Sequence, residues 1–280
     1  MIDLKIPSEY DYQIVEGSIK QTGARRIEGF SKQLSKNVWS ADADQNYTIY
    51  FVIEFNKDIK KFGGWHDHTL WETDTMTASY PQRFGCYAEF DTTDYPEVMV
   101  RSGISYVDMA GASNNLSNEI TEPFGWNFEA VRKHQSDSWN NILNRVRIYS
   151  NDYREKVRFY TNLYRAFCRN TFSDADRRWV DAAGNIQKLD DPDAVALGCD
   201  AFWNTFWNLN QVWNLIAPEW SSRWVKSQSA MYDANGWLAK GPSGMKYIPV
   251  MVAEHEIPLL VSTYQMGIRN YDAEKCSGQS

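Results

Sequence analysis

Cysteine is scarce in this 280-residue sequence: Cys86, Cys168, Cys199 and Cys276 are its only four, and no two are close together. Such spacing excludes a zinc knuckle or a CxxC redox pair and leaves free, buried thiols as the ordinary reading. No apolar run approaches ~20 residues, so no segment is a candidate for crossing a membrane. The opening stretch "MIDLKIPSEYDYQ" has no basic region leading into an apolar one, so no secretory signal is read within the chain. The compartment stays open; a leader upstream of Met1 would make it secreted, periplasmic or cell-surface. Positive charge is also short. Lys plus Arg number 29 against 36 Asp plus Glu, a net charge of −7 with a pI near 5.2. With no basic stripe beyond Arg25-Arg26 or Lys57 with Lys60-Lys61, nucleic acid is excluded as a partner. No internal repeat of fixed period is present.

Aromatic residues are abundant. Twelve Trp, sixteen Tyr and thirteen Phe make 15% of the chain, more than core filling usually needs. Aromatic faces stack on the C–H faces of sugar rings, but a Trp-rich core explains the same count, and composition does not choose between them.

Residues 1–107 read as β. "YTIYFVIEF" (47–55), "RFGCYAEFD" (83–91) and "EVMVRSGISYV" (97–107) are rich in β-branched and aromatic residues. Gln13 to Lys32 alternates weakly, and "GGWHDHTLWETDT" (63–75) reads as a polar, Gly-led hairpin loop. Part of an antiparallel β-sandwich is the expected architecture.

Helices are expected beyond. A short one covers Gly111 to Ile120, and another spans 127–150, residues 108–150 together forming linker helices. In 151–280 the spacing predicts helices over 152–170, 199–217, 218–236 and about 252–270. Asp152 is placed as N-cap with Glu155 completing a capping box, Pro218 opens a helix at its first turn, and Gly236 closes it. On the 199–217 helix, Trp203 and Trp207 fall four apart, as do Asn204 and Asn208, with Gln211 and Asn214 following. That would set stacking surfaces beside amides, a combination suited to sugar hydroxyls; a helix–helix contact with satisfied amides is the structural alternative.

Several of these segments, in this order, resemble glycoside hydrolase family 92: "YFVIEFNK", "VMVRSGISYVDMAGASNNLSNEI", "FEAVRKHQSDSWNNIL", "FYTNLYRAF" with "NTFSDADRRW", "FWNTFWNLNQVWNLIAP", and "VMVAEHEIPLLVSTYQMGIRNYD". The resemblance covers roughly residues 45–275. It implies an exo-acting α-mannosidase on mannose-containing glycans, using calcium and inverting the anomeric centre. The implied fold is mixed β plus α: part of a β-sandwich followed by the first helices of an (α/α)6 toroid.

The family pattern Phe-Ser-Asp-x-Asp-Gly is matched by Phe172, Ser173, Asp174 and Asp176, with Arg177 in place of Gly. The pattern Trp-Asp-Thr-Phe-Arg appears as Trp203, Asn204, Thr205, Phe206 and Trp207, so a carboxylate and a guanidinium are replaced. His255 matches a family His that begins a helix, with Glu254 before it. The resemblance thus makes Trp203, Asn204, Trp207, Asp174, Asp176, His255 and Glu254 the candidate substrate-binding residues. It places the general acid, the general base and most calcium ligands beyond residue 280, and the start of the sandwich before Met1. An inverting glycosidase needs two carboxyls roughly 6.5–9.5 Å apart. Asp174 and Asp176, two residues apart in one loop, do not suit that task and are assigned to binding at a site rim or to loop structure.

Two short patterns have plainer explanations. His66-Asp67-His68 could take a metal, but no third ligand is identifiable and a solvated loop accounts for it. Asn46 and Asn115 begin glycosylation sequons, patterns that arise often by chance. Three readings follow: a calcium-dependent α-mannosidase of which this chain is a portion; a non-catalytic carbohydrate-binding module using the Trp and Asn face; or a fragment inactive alone. An incomplete toroid would leave Phe159, Trp203, Phe206 and Trp213 partly uncovered.

Overall fold

The strand β4 (Gln45–Phe55) is apolar on both of its faces because both are covered. Phe51, Ile53 and Phe55 point into the core of a two-sheet sandwich, while Tyr50 and Val52 meet a helix on the other side. This is the structural counterpart of an apolar run that does not alternate. The computed structural model describes residues 2–4, 12–35, 45–79, 84–168, 170–198, 202–238, 242–243, 246–247 and 254–274.

Two antiparallel sheets form the first unit. One has the order β1 (Ile2–Asp3), β8 (Phe84–Phe90), β5 (Ile59–His66), β6 (Thr69–Glu72). The other runs β7 (Thr75–Ser79), β2 (Tyr12–Gly23), β3 (Arg26–Ser35), β4, β9 (Val100–Ser105). Ile19, Ile27, Phe51, Phe55, Phe62, Met76, Phe84 and Cys86, drawn from both sheets, form the core between them. The stretch 63–75, expected as a loop, is mostly strand. β5 and β6 meet at a tight Asp67-His68 turn, with Asp67 in the left-handed region at φ 49°. Gly64, which reads as a turn residue, lies in β5 because Met76 leaves no room there for a Cβ, the methionine Cγ being 2.9 Å from its place.

Helix α1 (Met109–Leu116) lies on the outer face of the five-stranded sheet, where Ala112 and Leu116 pack on Val52. It continues as a π-helical turn, Ser117–Thr121, and a short turn α2 (Glu122–Phe124). Beside it, Arg26 and Arg101 grip Glu54 from the neighbouring strands at 2.8 and 2.7 Å. The compact units divide after Trp126, inside the stretch expected as linker, and Ser173–Val180 returns to the first unit.

The second unit is helical. α3 (Phe128–Leu143) is capped by Asn127, and α4 (Tyr153–Phe167) by Asp152, whose side chain accepts from Arg154 N. The expected Asp152–Glu155 box is modified: Ser150 Oγ accepts from Asp152 N and donates to Glu155 Oε2, each at 3.0 Å. α5 (Leu209–Ile216), α6 (Pro218–Asn235) and α7 (Glu256–Gln265) follow. Pro218 opens α6 and Gly236, at φ 74°, closes it, as the sequence predicts. Leu197, Phe202, Trp213, Trp224 and Leu259 form the core of this unit. Trp213, expected to be partly uncovered, is fully buried: its ring stacks on Trp224 at 6.1 Å and its Nε1 donates to Ala166 O. The Trp surplus therefore fills a core in part.

Candidate functional site

The segment 199–217 is not one helix. Residues 199–201 lie outside the described residues. Asn204 takes a left-handed backbone, φ 63°, and Thr205–Trp207 forms a single 3-10 turn before α5 begins at Leu209. Asn tolerates that region better than most residues, and Thr205 Oγ1 anchors the turn by donating to Phe202 O at 3.0 Å. Consequently Trp203 and Trp207 do not share a helical face. Both are open to solvent, 60% and 69% exposed. Phe206 stacks on His255, with ring centroids 5.5 Å apart and planes 13° off parallel, and meets Trp207 edge-on at 6.2 Å. The turn and the start of α7 thus come together as an aromatic cluster with Asn204 at its bend. His255 is buried within it, whereas Glu254 is exposed. The carboxylate on the inward side of α7 is instead Glu256, which the sequence reading passed over.

Two of the amides beyond the turn, Asn214 and Gln211, serve a structural role. Asn214 is buried, with Nδ2 donating to Ser262 Oγ and Oδ1 accepting from Thr263 Oγ1 on α7. Gln211 Nε2 donates to Phe206 O at 3.0 Å, bracing the turn.

Asp174 and Asp176 belong to the first unit. Asp174 is 5% exposed; Ser105 Oγ donates to its Oδ2 at 2.7 Å and Asn115 Nδ2 to its Oδ1 at 2.8 Å. Asn115 Oδ1 returns the bond by accepting from Ala175 N, so the loop is buttoned to α1. Burial pushes the Asp174 carboxyl above the ordinary range, against the pull of the Ser105 and Asn115 hydrogen bonds. Arg178 completes the fastening: its Nε donates to Asp176 at 2.6 Å and its Nη1 to Asp108 at 2.7 Å. The Arg178 hydrogen bond holds Asp108 below the ordinary carboxylate range, and Asp108 caps α1 by accepting from Gly111 N. Of the two roles open to these acids, the bonds of Asp174 are those of loop structure. Arg177, where the resembling pattern has Gly, is left-handed at φ 71°.

Asn115, a sequon residue, is a working part of this network. No local pattern marks that role, because its partner Asp174 lies 59 residues away. His66 packs between Trp71 and Phe84, at 5.1 and 6.3 Å. Among the described residues there is no group of three or more His, Cys, Asp or Glu side chains placed to hold a metal ion. No described helix is long and apolar enough to cross a membrane.

Comparison with known proteins agrees with this architecture. The family model for the glycosyl hydrolase family 92 catalytic domain matches residues 111–277, and that for its N-terminal domain matches residues 1–105. The chain belongs to glycosyl hydrolase family 92. Among solved structures, the family 92 α-mannosidase BT3965 of Bacteroides thetaiotaomicron superposes with a TM-score of 0.82 at 21% identity, over 96% of this chain and 35% of that one. The same protein in complex with mannoimidazole gives 0.81 at 21% identity, over 96% and 34%. The family 92 inverting mannosidase BT2199 of Bacteroides thetaiotaomicron VPI-5482 gives 0.79 at 22% identity, over 94% and 35%. The chain therefore spans about a third of the length of these relatives, and its fold is that of their β domain and the start of their helical domain. No curated protein sequence matches it.

Proposed function

We propose that the natural product containing residues 1–280 hydrolyses α-mannosides, releasing terminal mannose with inversion. The carrying observation is the family 92 match across both the sandwich and the helical segment. It is supported by the BT3965 complex with mannoimidazole and by the inverting mannosidase BT2199. In this reading Trp203 and Trp207 shape the sugar pocket, Asn204 offers its amide to sugar hydroxyls, and Phe206 with His255 fixes the turn that carries them. The acid and the base come from outside these 280 residues. Asp174 and Asp176 act on binding only through the loop they hold.

Calcium remains part of the proposal for the longer enzyme, on the strength of the resemblance, with ligands from outside the described residues; no step is derived through it. The test is mannose release from aryl and disaccharide α-mannosides, with and without a chelator. Turnover is expected from the natural full-length product and none from residues 1–280 alone. Full activity after thorough chelation discards calcium, and no mannose from any linkage discards the function.

The exposure of Trp203 and Trp207 also suits a carbohydrate-binding module without catalysis. Calorimetry with mannose and α-mannobiose distinguishes them, since binding by the full-length product without turnover selects the module.

A further inference from the structure

Asp174 is a buried carboxyl whose hydrogen-bond partners are neutral. Ser105 on β9 and Asn115 on α1 hold its two oxygens at 2.7 and 2.8 Å. The charged groups on the elements around it leave it without a counterion. Asp108 caps α1, and Glu119 sits on the π-helical turn that follows, its carboxyl raised by burial and by Asp174. Arg101, also on β9, is paired with Glu54 at 2.7 Å. On the loop itself stand Asp176, Arg177 and Arg178. Arg178 is committed to Asp176 at 2.6 Å and to Asp108 at 2.7 Å. Among the described residues, then, Asp174 has no ion pair to offset the desolvation of its charged form.

The loop depends on that one carboxyl for its place. It closes on itself, with Asp174 N donating to Arg178 O and Arg177 N to Asp174 O, each at 2.8 Å. Within it Arg177 is left-handed at φ 71°, a conformation a non-glycine residue keeps only while its surroundings hold it. The backbone of Gly111 lies against the Asp174 carboxylate, so the side chain has no second position inside the site. The helix it grips ends in a π-helical turn, a form frequent at functional sites. At both ends, Phe172 and Asp181, the chain continues into the second unit. Ser173–Arg178 is therefore a strap, buttoned to α1 at Asp174 and fastened again at Arg178.

We propose that this strap is a pH-sensitive clamp on α1, tightest in mild acid and loosened toward neutrality by opening at its Asp174 end. A neutral carboxylic acid can keep both contacts, donating in one and accepting in the other. An ionised one brings a charge that water solvates better, and swinging the strap outward reaches that water. Burial raises the Asp174 carboxyl, so its hold is complete below the ordinary Asp value of about 4. The hold weakens by up to about tenfold per pH unit until the raised value is passed. Asp108, lowered by the Arg178 hydrogen bond, stays ionised over that range, and the Arg178 fastening keeps the strap tethered. The opening is local, unlike melting of the unit, and does not depend on mannosidase activity.

The experiment is amide hydrogen exchange on the natural full-length product at about pH 4.5 and about pH 7.5, corrected for the intrinsic effect of pH on exchange. The reporters are Ala175 N, which donates to Asn115 Oδ1, and Arg177 N. Their protection is expected to fall about fivefold or more at the higher pH. In Asp174→Asn, a neutral side chain of the same shape, it should stay level. The Asp181 turn is the internal control, since Ala183 N and Asn185 N also donate to a carboxylate. There hydrogen bonds from Gln187 and Asn185 outweigh burial and hold the carboxyl below the ordinary range, so protection should stay level. If Asp174→Asn does not fold, Asp176→Asn carries the test: removing that like charge should move the loosening to lower pH. Protection that does not fall, that falls equally in Asp174→Asn, or that falls in step at the Asp181 turn overturns the proposal. So does a loosening that Asp176→Asn leaves unmoved or moves upward.

Discussion

The carboxylate of Asp174 lies directly against the backbone of Gly111: a Cβ at Gly111 would overlap Asp174 Oδ2 and stand 2.6 Å from Ser105 Oγ. Close approach, not a turn, is what this glycine provides. Gly to Ala within a helix normally stabilises by about 1 kcal/mol. Here the overlap wins, because neither Asp174 nor Ser105 can retreat without breaking buried hydrogen bonds. Gly111→Ala is expected to cost about 1–3 kcal/mol and to speed hydrogen exchange at the amides of Asp174 and Ala175. Unchanged stability would show that the loop does not depend on this contact.

Acidity should act on the same loop in two opposite ways. Asp174 is raised by burial, so its contribution is complete below the ordinary Asp value of about 4 and fades as pH climbs through the raised one. Asp108 is lowered by the Arg178 hydrogen bond, so its contribution is complete above about 4 and is lost as pH falls further. The first unit is expected to lose some stability as pH climbs from about 4 toward neutrality. Asp174→Asn should reduce that loss, leaving the share of Glu119, whose carboxyl is also raised by burial. Parallel melting curves for wild type and variant would contradict the assignment.

Trp203 and Trp207 separate folding from function. Both side chains are mostly in solvent, so Trp203→Ala and Trp207→Ala should shift stability by no more than about 0.5 kcal/mol. Where the full-length product turns over mannosides as proposed, each is expected to raise KM several-fold. A large loss of stability with unchanged KM would move both residues from the sugar pocket to a structural contact.

Cys86 lies in the sandwich core, and burial pushes its thiol up to about 12. Cys168 is exposed. Maleimide labelling read by peptide mapping should therefore mark Cys168 in the native protein and Cys86 only after unfolding. Native labelling of Cys86 would mean that the sandwich opens well below its melting point.

Legibility in the sequence followed the range of the interactions. β4 was visible because two covered faces leave an unbroken apolar run, and Pro218 and Gly236 mark α6 by their own backbone chemistry. The 63–75 hairpin was hidden because Gly64 and the Asp67-His68 turn look alike in sequence, although one fits beneath Met76 and the other reverses the chain. The Trp and Asn spacings over 203–214 satisfied a helical pattern that the left-handed Asn204 interrupts. Asn115 could not be found locally, since only the folded chain brings it to Asp174. The aromatic cluster is half legible: the sequence marks Trp207 and His255, but not the Phe206–His255 stack that joins the turn to α7.

The most direct test of the central claim is the anomer first formed. Proton NMR during hydrolysis of an aryl α-mannoside by the natural full-length product should show β-mannose appearing before mutarotation supplies the α form. α-Mannose appearing first, or no mannose at all, would contradict the account.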